Sequence, residues 1–378
     1  MKSDKLYLST PAFTQEEIDA VVSLLKQKDY SAYVESIKTF EQKLAHYLGD
    51  DKAVCCLNSG TAAMHLALIL AGVQFNDIVL CQSFTYAATV NPIIYLGATP
   101  LFIDSELETW NMCPDSLEAQ IESCIAAGTK PKAIVVVHLY GMPAKMDRIK
   151  ELASKHHITL IEDAAEALGA SYKGKACGTF GDFGILSFNN NKLMTSLGGG
   201  ALICANQEQR QKAVYLATHA KENKPFYQHT ELGYNYRMNA LAAALGTAQL
   251  GKLEASLNDR MAIHKFYQEL FDRIDGVDLM QAPSPNYHSN YWLNCILARD
   301  TANMEKISRI NNGLAEAHIE SRPLWKPMHQ QPVFKAYTYG GGEICEQLFQ
   351  RGLCLPSGSF LTASDRNRIE TAVLGAIR

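Results

Sequence analysis

The chain has 378 residues, 47% hydrophobic and 20% charged, a balance typical of a globular protein with a sizeable core. Its 35 lysines and arginines against 39 acidic residues leave a formal net charge of −4, which excludes the overall positive charge of a nucleic-acid-binding protein. At about 100–200 residues per domain, the length predicts two or three domains.

The N-terminal segment MKSDKLYLST lacks the apolar core of a secretory signal, and no apolar run approaches the roughly 20 residues that a membrane helix needs. Ten cysteines occur without a Cys-x-x-Cys pair, several of them in apolar runs such as VCCLN and ALICA. Buried free thiols are the preferred interpretation, with a disulfide framework or a zinc site as the alternative. The eleven histidines show no ligand pattern, so no metal is expected. We expect a cytoplasmic protein with no membrane partner.

The first predicted helix begins near Thr14, because TQEE has the pattern of a capping box before an apolar periodic run. From about residue 53, short apolar runs alternate with amphipathic stretches. The expected strands are AVCCL, DIVLC, TPLFI, KAIVVVH, ITLIED, FGILSF and GGGALICA, and the expected helices are TAAMHLALILAG, VNPIIYLG, CPDSLEAQIESCIAAG and MDRIKELASKHH. This alternation predicts an α/β fold with a mostly parallel central sheet flanked by helices.

After about residue 240 the pattern changes. LAAALGTAQLGKLEASLNDRMAIHKFYQELFDRI predicts one or two long helices, NYWLNCILA a strand, EKISRINNGLAEA a helix, and the segment after TASD a C-terminal helix. We therefore expect a large domain over residues 1–250 and a smaller α+β domain over residues 251–378.

The motif Ser59-Gly60-Thr61 ends one predicted strand and opens the next helix. The N–H groups at a helix start, together with the helix dipole, favour an anion such as phosphate. Gly60 lets the backbone approach a ligand closely, and Thr61 adds a hydroxyl. A helix cap with nothing bound is the alternative.

A second motif, LIEDAAEALGA, places Asp163 at the carboxyl end of a predicted strand. In an open α/β sheet this edge faces the ligand crevice, and the small residues that follow leave room for a flat molecule. An aspartate that only caps a helix is the alternative.

A third motif, SFNNNKLMTSLGGG, carries Lys192 between a predicted strand and three glycines. A lysine amine can form a Schiff base with a carbonyl, and pyridoxal phosphate is the usual partner. That cofactor needs a lysine for its aldehyde, a carboxylate for its ring nitrogen and a cup for its phosphate. Lys192, Asp163 and the motif at residues 59–61 supply these groups in turn. A lone lysine, taken by itself, is more commonly a solvated surface residue.

Two further segments add candidate pocket residues. Tyr86 in SFTYAATVNPI follows a predicted strand, where its ring can lie on the flat face of the cofactor; core packing is the alternative. GYNYRMN, residues 233–239, is rich in hydrogen-bond donors just before a long helix, and capping of that helix is its alternative role.

With these motifs in this order, the chain resembles the nucleotide-sugar aminotransferases of the DegT/StrS family, which have the aspartate-aminotransferase type of pyridoxal-phosphate fold. The resemblance covers nearly the whole chain. It is carried by SGTAAMHLAL, TYAATVNPI, GATPLFID, VHLYGMPAKMD, IEDAAEALGA, GDFGILSFNNNKLMTSLGGG, GYNYRMNALAAALGTAQL and SRPLWKPMH. It implies a large domain that binds pyridoxal 5'-phosphate and a small domain that closes over the sugar.

The resemblance also implies roles around the cofactor ring. Lys192 would be the catalytic, Schiff-base lysine, and Asp163 would pair with the pyridine nitrogen. Tyr86 would stack on the ring. Glu166 would lie near the ring hydroxyl, where many relatives have glutamine.

The phosphate end is implied in the same way. Gly60, Thr61 and Ser187 would hold the cofactor phosphate. Asn235 would reach the phosphate of the neighbouring subunit's cofactor, so the active sites would lie at the interface of a homodimer. Two-fold symmetry is also the commonest arrangement of soluble oligomers.

At the sugar end, the resemblance assigns Trp325 and His329 of SRPLWKPMH to the substrate. This segment and LPSGSFLTASD most resemble the subgroup that acts on UDP-linked 4-keto-6-deoxy-N-acetylhexosamines. The segment DYSAYVESIKTFEQ departs from the family, because many relatives have a loop with glycine or proline there. That loop helps to shape the substrate side, so the departure bears on the choice of sugar.

The implied reaction moves an amino group, with glutamate as the expected donor, to the C4 ketone of a UDP-linked keto sugar. The product would serve bacterial surface glycans or glycoprotein sugars. A few relatives carry histidine instead of this lysine and dehydrate the sugar, so Lys192 favours transamination. The alternatives are amination at C3, a sugar dehydratase of the same family and a non-catalytic regulator that binds the cofactor. A Rossmann dehydrogenase is disfavoured, since no GxGxxG follows the first strand.

Overall fold

A computed structural model describes residues 5–49 and 52–377 of the chain. Its α-helices are α1 (Gln15–Leu25), α2 (Tyr30–Leu48), α3 (Gly60–Leu70), α4 (Ala87–Tyr95), α5 (Pro114–Ala126), α6 (Met146–Lys155), α7 (Gln207–Ala217), α8 (Ala240–Leu250), α9 (Leu253–Phe271), α10 (Met304–Glu316), α11 (Ile344–Arg351) and α12 (Ala363–Ile377). Its strands are β1 (Ala53–Leu57), β2 (Ile78–Gln82), β3 (Thr99–Ile103), β4 (Ala133–Val137), β5 (Thr159–Asp163), β6 (Ser171–Tyr172), β7 (Lys175–Ala176), β8 (Phe183–Ser187), β9 (Gly200–Cys204), β10 (Val277–Leu279), β11 (Tyr287–His288), β12 (Asn294–Ala298), β13 (Arg322–Pro323), β14 (Tyr339–Gly340) and β15 (Gly352–Leu355).

The central sheet has the strand order β1-β9-β8-β5-β4-β2-β3-β14. The strands from β8 to β14 in this order run parallel, whereas β9 is antiparallel to both β1 and β8. The predicted α/β fold with a mostly parallel sheet is thus confirmed. The antiparallel strand β9 returns the chain beside β8 after the segment that carries Lys192.

Apolar side chains of the sheet alternate between two covered faces. In β1, Cys55 belongs to the core beneath α3, α4 and α7, while Val54 and Cys56 belong to the core beneath α2 and α8. A third cluster joins α5 and α6 to the middle strands on the second face. Because successive residues of a strand point to opposite faces, strands buried on both faces appear as the continuous apolar runs of the sequence.

A second, antiparallel sheet has the order β10-β12-β15-β13. Its core includes Ile263 of α9, Ile310 of α10 and Val373 of α12, together with Leu6 from the N-terminal segment. Most of this core lies after residue 250, whereas β14 rejoins the large sheet beside β3. The division of the chain into a large domain over residues 1–250 and a small domain over residues 251–378 stays a prediction. The remaining three strands form a small sheet of order β11-β6-β7.

Several boundaries differ from the sequence-based expectations for local reasons. Helix α4 begins at Ala87, ahead of VNPIIYLG, because Tyr86 is its N-cap residue. The strand expected over NYWLNCILA begins only at Asn294, since Tyr291 has a positive φ of 47° and the chain bends at Trp292 and Leu293. The C-terminal helix begins within TASD, where the Thr362 hydroxyl accepts the N–H of Asp365. The segment DYSAYVESIKTFEQ is helical and lies mostly in α2.

The ten cysteines are free thiols, and all except the partly exposed Cys113 are buried. Within the described ranges, the helices are too short or too polar to cross a membrane. The first four residues of MKSDKLYLST lie outside the described residues, so the expectation about that segment is a matter of sequence alone.

Candidate active site

Most of the predicted site residues converge at the carboxyl ends of the central strands. β5 ends at Asp163 and β8 at Ser187, and helix α3 begins at Gly60. This is the edge at which open α/β sheets bind ligands. It borders a cavity of about 570 Å³. The predicted residues that line this cavity are Gly60, Thr61, Tyr86, Asp163, Glu166, Ser187, Lys192 and Trp325.

Helix α3 reaches the cavity through a close backbone contact with β8 and β9. Ser59 caps the helix, and its Oγ accepts a hydrogen bond from a first-turn N–H at 3.1 Å. A Cβ on Gly200 would lie 2.4 Å from the backbone nitrogen of Gly60, and a Cβ on Gly60 would lie 3.2 Å from the Cβ of Ser187. The first N–H groups of a helix have no acceptor within the helix, so Gly60 and Thr61 offer donors beside the Ser187 hydroxyl.

The Asp163 carboxylate is buried at one side of the cavity. Its Oδ2 accepts a hydrogen bond from the Thr89 hydroxyl at 2.7 Å, and its Oδ1 accepts the Ala165 N–H at 3.1 Å. Burial raises the pKa of Asp163, while these two hydrogen bonds and the nearby Lys192 charge oppose the rise. The carboxylate is thus oriented by its neighbours, and a cationic N–H group in the cavity would stabilise its charged form.

Lys192 and Glu166 lie next to each other in the cavity lining. The Lys192 Nζ lies 3.5 Å from Glu166 Oε1, and Glu166 Oε2 accepts the Tyr140 N–H at 2.7 Å. Burial raises the pKa of Glu166 to about 7, although the lysine charge and the Tyr140 N–H act to lower it. Near neutral pH, Glu166 can therefore hold or release a proton directly beside the amine.

Trp292 anchors the segment that carries the lysine. The Lys192 Nζ lies 4.1 Å from the centroid of the Trp292 ring, within cation–π range. Trp292 Nε1 donates a hydrogen bond to the Asn191 carbonyl at 2.8 Å, and the Ser9 hydroxyl donates to the same oxygen at 2.9 Å. The backbone next to Lys192 is thus held by two segments that lie far apart in the sequence.

Tyr86 and Trp325 form an aromatic wall of the cavity. Their ring centroids lie 5.5 Å apart with an interplanar angle of 50°. The Trp325 N–H donates a hydrogen bond to the Tyr140 hydroxyl at 3.0 Å. Because Tyr140 also holds Glu166 through its backbone, one residue positions both the aromatic wall and the acid.

Two predicted residues are placed differently. His329 does not line the cavity: its Nδ1 lies 2.7 Å from Ser83 Oγ, and its Nε2 lies 2.8 Å from Glu346 Oε1. Asn235 is exposed, and its carbonyl accepts a hydrogen bond from the Asn58 amide at 3.0 Å at the cavity edge. The roles given to His329 and Asn235 stay predictions.

Four residues at the cavity were missed in the sequence. Thr89 comes three residues after Tyr86 and so lies on the same side of the first turn of α4, a spacing that could have identified it. Trp292, Glu320 and Arg322 line the cavity from distant points of the chain. Arg322 lies in SRPLWKPMH, three residues before Trp325, so this segment could have identified it, whereas the segments around Trp292 and Glu320 carry no recognisable motif.

These residues fit pyridoxal phosphate. At the start of α3, backbone N–H groups and the Ser187 hydroxyl can donate hydrogen bonds to a phosphate. A Cβ on Gly60 would lie 3.2 Å from the Cβ of Ser187, so glycine keeps this cup open. The buried carboxylate of Asp163 suits a protonated ring nitrogen. Lys192 presents its amine to the same cavity.

Comparison with known proteins agrees with this chemistry. The chain is 43% identical to EpsN of Bacillus subtilis (strain 168), whose name describes a pyridoxal phosphate-dependent aminotransferase, over 98% of this chain and 95% of that protein. It is 36% identical to GDP-perosamine synthase of Escherichia coli O157:H7, over 92% of each chain. It is 38% identical to UDP-4-amino-4,6-dideoxy-N-acetyl-beta-L-altrosamine transaminase of Campylobacter jejuni (strain 81-176), over 68% of each.

Solved structures show the same fold. A DegT DnrJ EryC1 StrS aminotransferase from Brucella abortus superposes with a TM-score of 0.87 at 28% identity, covering 96% of this chain and 95% of that one. The PLP-form of Spr1654 from Streptococcus pneumoniae, named as a sugar aminotransferase, superposes with a TM-score of 0.88 at 25% identity, covering 99% and 100%.

The model of the DegT/DnrJ/EryC1/StrS aminotransferase family matches residues 11–374, nearly the whole chain. The match, the relatives and the cavity agree on the cofactor and on the class of reaction. The chain belongs to the DegT/DnrJ/EryC1/StrS aminotransferase family and is a pyridoxal-phosphate-dependent sugar aminotransferase.

Proposed function

We propose that this protein transfers an amino group from glutamate to the C4 ketone of a UDP-linked 4-keto-6-deoxy sugar. The observation that carries the proposal is the convergence of Lys192, Asp163 and the start of helix α3 on one cavity. The product would enter the synthesis of bacterial surface glycans or glycoprotein sugars, and the enzyme would work in the cytoplasm.

The bound cofactor supplies an aldehyde that carries nitrogen from one substrate to the other and a ring that accepts electrons during the exchange. Gly60, Thr61 and Ser187 would hold its phosphate. Asp163 would hold the ring nitrogen in its protonated form. Tyr86 would cover one face of the ring, and Glu166 would lie beside the ring hydroxyl.

Lys192 has the central catalytic role in this proposal. Its Nζ takes the proton from the donor carbon that loses nitrogen and returns a proton to the sugar carbon that gains it. The Lys192 side chain is only 14% exposed, so protein groups instead of bulk water surround that proton. The Trp292 ring contacts the Lys192 amine through a cation–π interaction, and the Glu166 carboxyl group lies 3.5 Å from the same amine.

The choice of UDP and of C4 rests on resemblance. The Campylobacter jejuni relative is named for a UDP-linked 4-amino-4,6-dideoxy sugar. The GDP-perosamine synthase relative favours a GDP-linked sugar as the second candidate, and it matches more of the chain. The segments SRPLWKPMH and LPSGSFLTASD support the UDP subgroup.

The proposal includes a homodimer with shared active sites. Asn235 lies exposed beside the cavity-lining residue Asn58, where it can extend toward a second copy. The small domain, residues 251–378, would close over the sugar. Trp325 would contact the sugar directly. His329 would contribute to the sugar end from outside the cavity lining, where it contacts Ser83 and Glu346.

Nitrogen tracing tests this function. The protein is supplied with pyridoxal phosphate, ¹⁵N-glutamate and either a UDP-linked or a GDP-linked 4-keto-6-deoxy sugar, with the Lys192→Ala variant as control. We expect ¹⁵N in the UDP sugar at C4 by NMR with the wild type, and none with the variant. If only the GDP-linked sugar is labelled, the substrate is a GDP-linked sugar and the choice of UDP is wrong. Label at C3, or a deoxygenated sugar without label, would establish an alternative reaction instead.

A further inference from the structure

Two charged residues at the cavity have no part in the chemistry described above. Glu320 and Arg322 both line the cavity. Among its described lining residues, the lysines and arginines are Lys192 and Arg322 alone. Lys192 is committed to the cofactor and faces Glu166. Arg322 is therefore the remaining arginine or lysine there that can meet an anionic substrate.

Arg322 is held at the cavity mouth. It lies in β13, paired with Cys354 of β15, which fixes its backbone. Its side chain is 69% exposed, compared with 14% for Lys192, so the guanidinium lies far closer to solvent than the reacting amine. It donates hydrogen bonds from Nε and Nη2 to Glu320 Oε1 at 2.9 Å and 2.7 Å.

Glu320 acts as a resident counterion that can stay in place without Arg322. Its second oxygen, Oε2, accepts the Leu8 N–H at 3.0 Å. Although partial burial acts to raise the pKa of Glu320, the Leu8 N–H and Arg322 lower it overall, so the side chain is a carboxylate. A guanidinium has five N–H donors, and two of them serve Glu320, so the fork can also bind a second anion.

Both substrates of the proposed function are anions, and their shapes differ. The α-carboxylate of an amino-acid donor is bonded directly to the reacting carbon, so it must lie deep, beside Lys192. In a nucleotide sugar, the hexose ring separates the reacting ketone carbon from the diphosphate. The diphosphate must therefore lie farther out, toward the exposed end of the cavity where Arg322 lies.

We propose that Arg322 binds the diphosphate of the nucleotide-sugar substrate and that Glu320 holds the guanidinium ready and partly competes with that diphosphate. This inference rests on the proposed function. It predicts opposite effects for the two residues: removing Arg322 weakens nucleotide binding, and removing the Glu320 charge strengthens it.

Binding of UDP to the protein loaded with pyridoxal phosphate, measured by titration calorimetry, tests this role without turnover. Arg322→Gln should weaken UDP binding about tenfold or more, as expected for the loss of a charge-assisted contact. Lys326→Gln, an exposed neighbour outside the cavity lining, is the control and should bind UDP like the wild type. Binding of uridine, which has no phosphate, should be equal in all three proteins. Circular dichroism checks that each variant is folded.

The second variant pair tests the competing carboxylate. Glu320→Gln should tighten UDP binding about threefold, because it removes a negative charge beside the diphosphate. Glu316→Gln, an exposed change of equal charge at the end of α10, should leave the affinity unchanged. Equal tightening by both variants, or none by Glu320→Gln, would contradict the arrangement.

Three outcomes separate this inference from the proposed function. If Arg322→Gln leaves UDP and GDP affinity unchanged but raises the glutamate concentration needed to convert the cofactor, Arg322 binds the donor and the inference is wrong. If the wild type transfers ¹⁵N to a nucleotide sugar while Arg322→Gln binds nucleotides normally, the function stands and the inference falls. If Arg322→Gln weakens UDP binding while no sugar accepts nitrogen, the diphosphate site stands and the proposed reaction falls.

Discussion

Glu166 illustrates how the cavity changes the chemistry of one side chain. It is buried, it accepts the Tyr140 N–H, and it lies 3.5 Å from the Lys192 amine. Burial raises its pKa to about 7 from an ordinary value of 4.5. The native state therefore binds a proton at this site over a pH range in which the unfolded chain does not.

This difference predicts a pH-dependent stability in protein without added cofactor. Because the native pKa exceeds the unfolded one, the contribution of Glu166 to the free energy of unfolding should fall as pH rises from about 4.5 to about 7, by at most roughly 1.4 kcal/mol per pH unit. Glu166→Gln removes this contribution. Its stability relative to the wild type, measured by denaturant unfolding, should thus increase with pH across that window and level off above it. Wild-type and variant curves that run parallel would show that Glu166 does not titrate there.

At the scale of elements, the cup at the start of α3 depends on glycine in β9. The strand and the helix meet so closely that a side chain at Gly200 would collide with the Ser59–Gly60 backbone. Backbone cannot move aside as a flexible side chain can. The glycine after the Lys192 segment therefore allows the close approach of the start of α3, the proposed phosphate cup, which lies more than a hundred residues earlier in the chain.

Gly200→Ala should lower the free energy of unfolding by about 1–3 kcal/mol, as overpacking does, and should weaken binding of pyridoxal phosphate. Gly375→Ala is a suitable control, because a Cβ there meets no atom within 4 Å and lies in helix α12. That control should be at least as stable as the wild type, since alanine favours a helix over glycine. A Gly200→Ala protein with wild-type stability and wild-type cofactor affinity would contradict the role assigned to this contact.

The elements that the sequence predicts are those whose pattern is local. The capping residues TQEE predict α1, and the Thr14 N–H does donate to Glu17 at 2.9 Å. The apolar run ITLIED predicts β5 and places Asp163 at its end. The contacts of Trp292 and Glu320 with the cavity depend on how distant segments fold together, so no local pattern could predict them, whereas Arg322 lies in SRPLWKPMH, a segment that the sequence already assigned to the site. His329 was assigned by resemblance, and its two hydrogen bonds to Ser83 and Glu346 are likewise visible only in the fold.

At the scale of the whole molecule, large apolar side chains are exposed beside the cavity entrance and in the segment after α7. Leu232 is 90% exposed, and Phe226 and Tyr227 in the same segment are also exposed. Tyr86 and Leu197, near the cavity, are exposed as well. Such surfaces commonly mark protein–protein interfaces. They support the proposed homodimer with shared active sites.

Light scattering tests the assembly. We expect a mass of twice the 41.8 kDa chain for the wild type and a shift toward the single-chain mass for Leu232→Asp. Val333→Asp, a charge placed on an exposed residue near β14 at the other edge of the large sheet, should leave the mass unchanged. A wild type that stays at the single-chain mass at all concentrations would contradict the shared site and the role of Asn235.

The central claim, that Lys192 holds the cofactor and that the cofactor takes up nitrogen from an amino acid, is tested most directly by an absorbance spectrum. The wild type and Lys192→Ala are loaded with pyridoxal phosphate, and their spectra are recorded before and after glutamate is added. We predict a band at the visible edge in the wild type that disappears with glutamate, and a different spectrum for the variant that glutamate does not convert at a comparable rate. A wild type that stays colourless after pyridoxal phosphate is supplied would contradict both the lysine assignment and the proposed reaction.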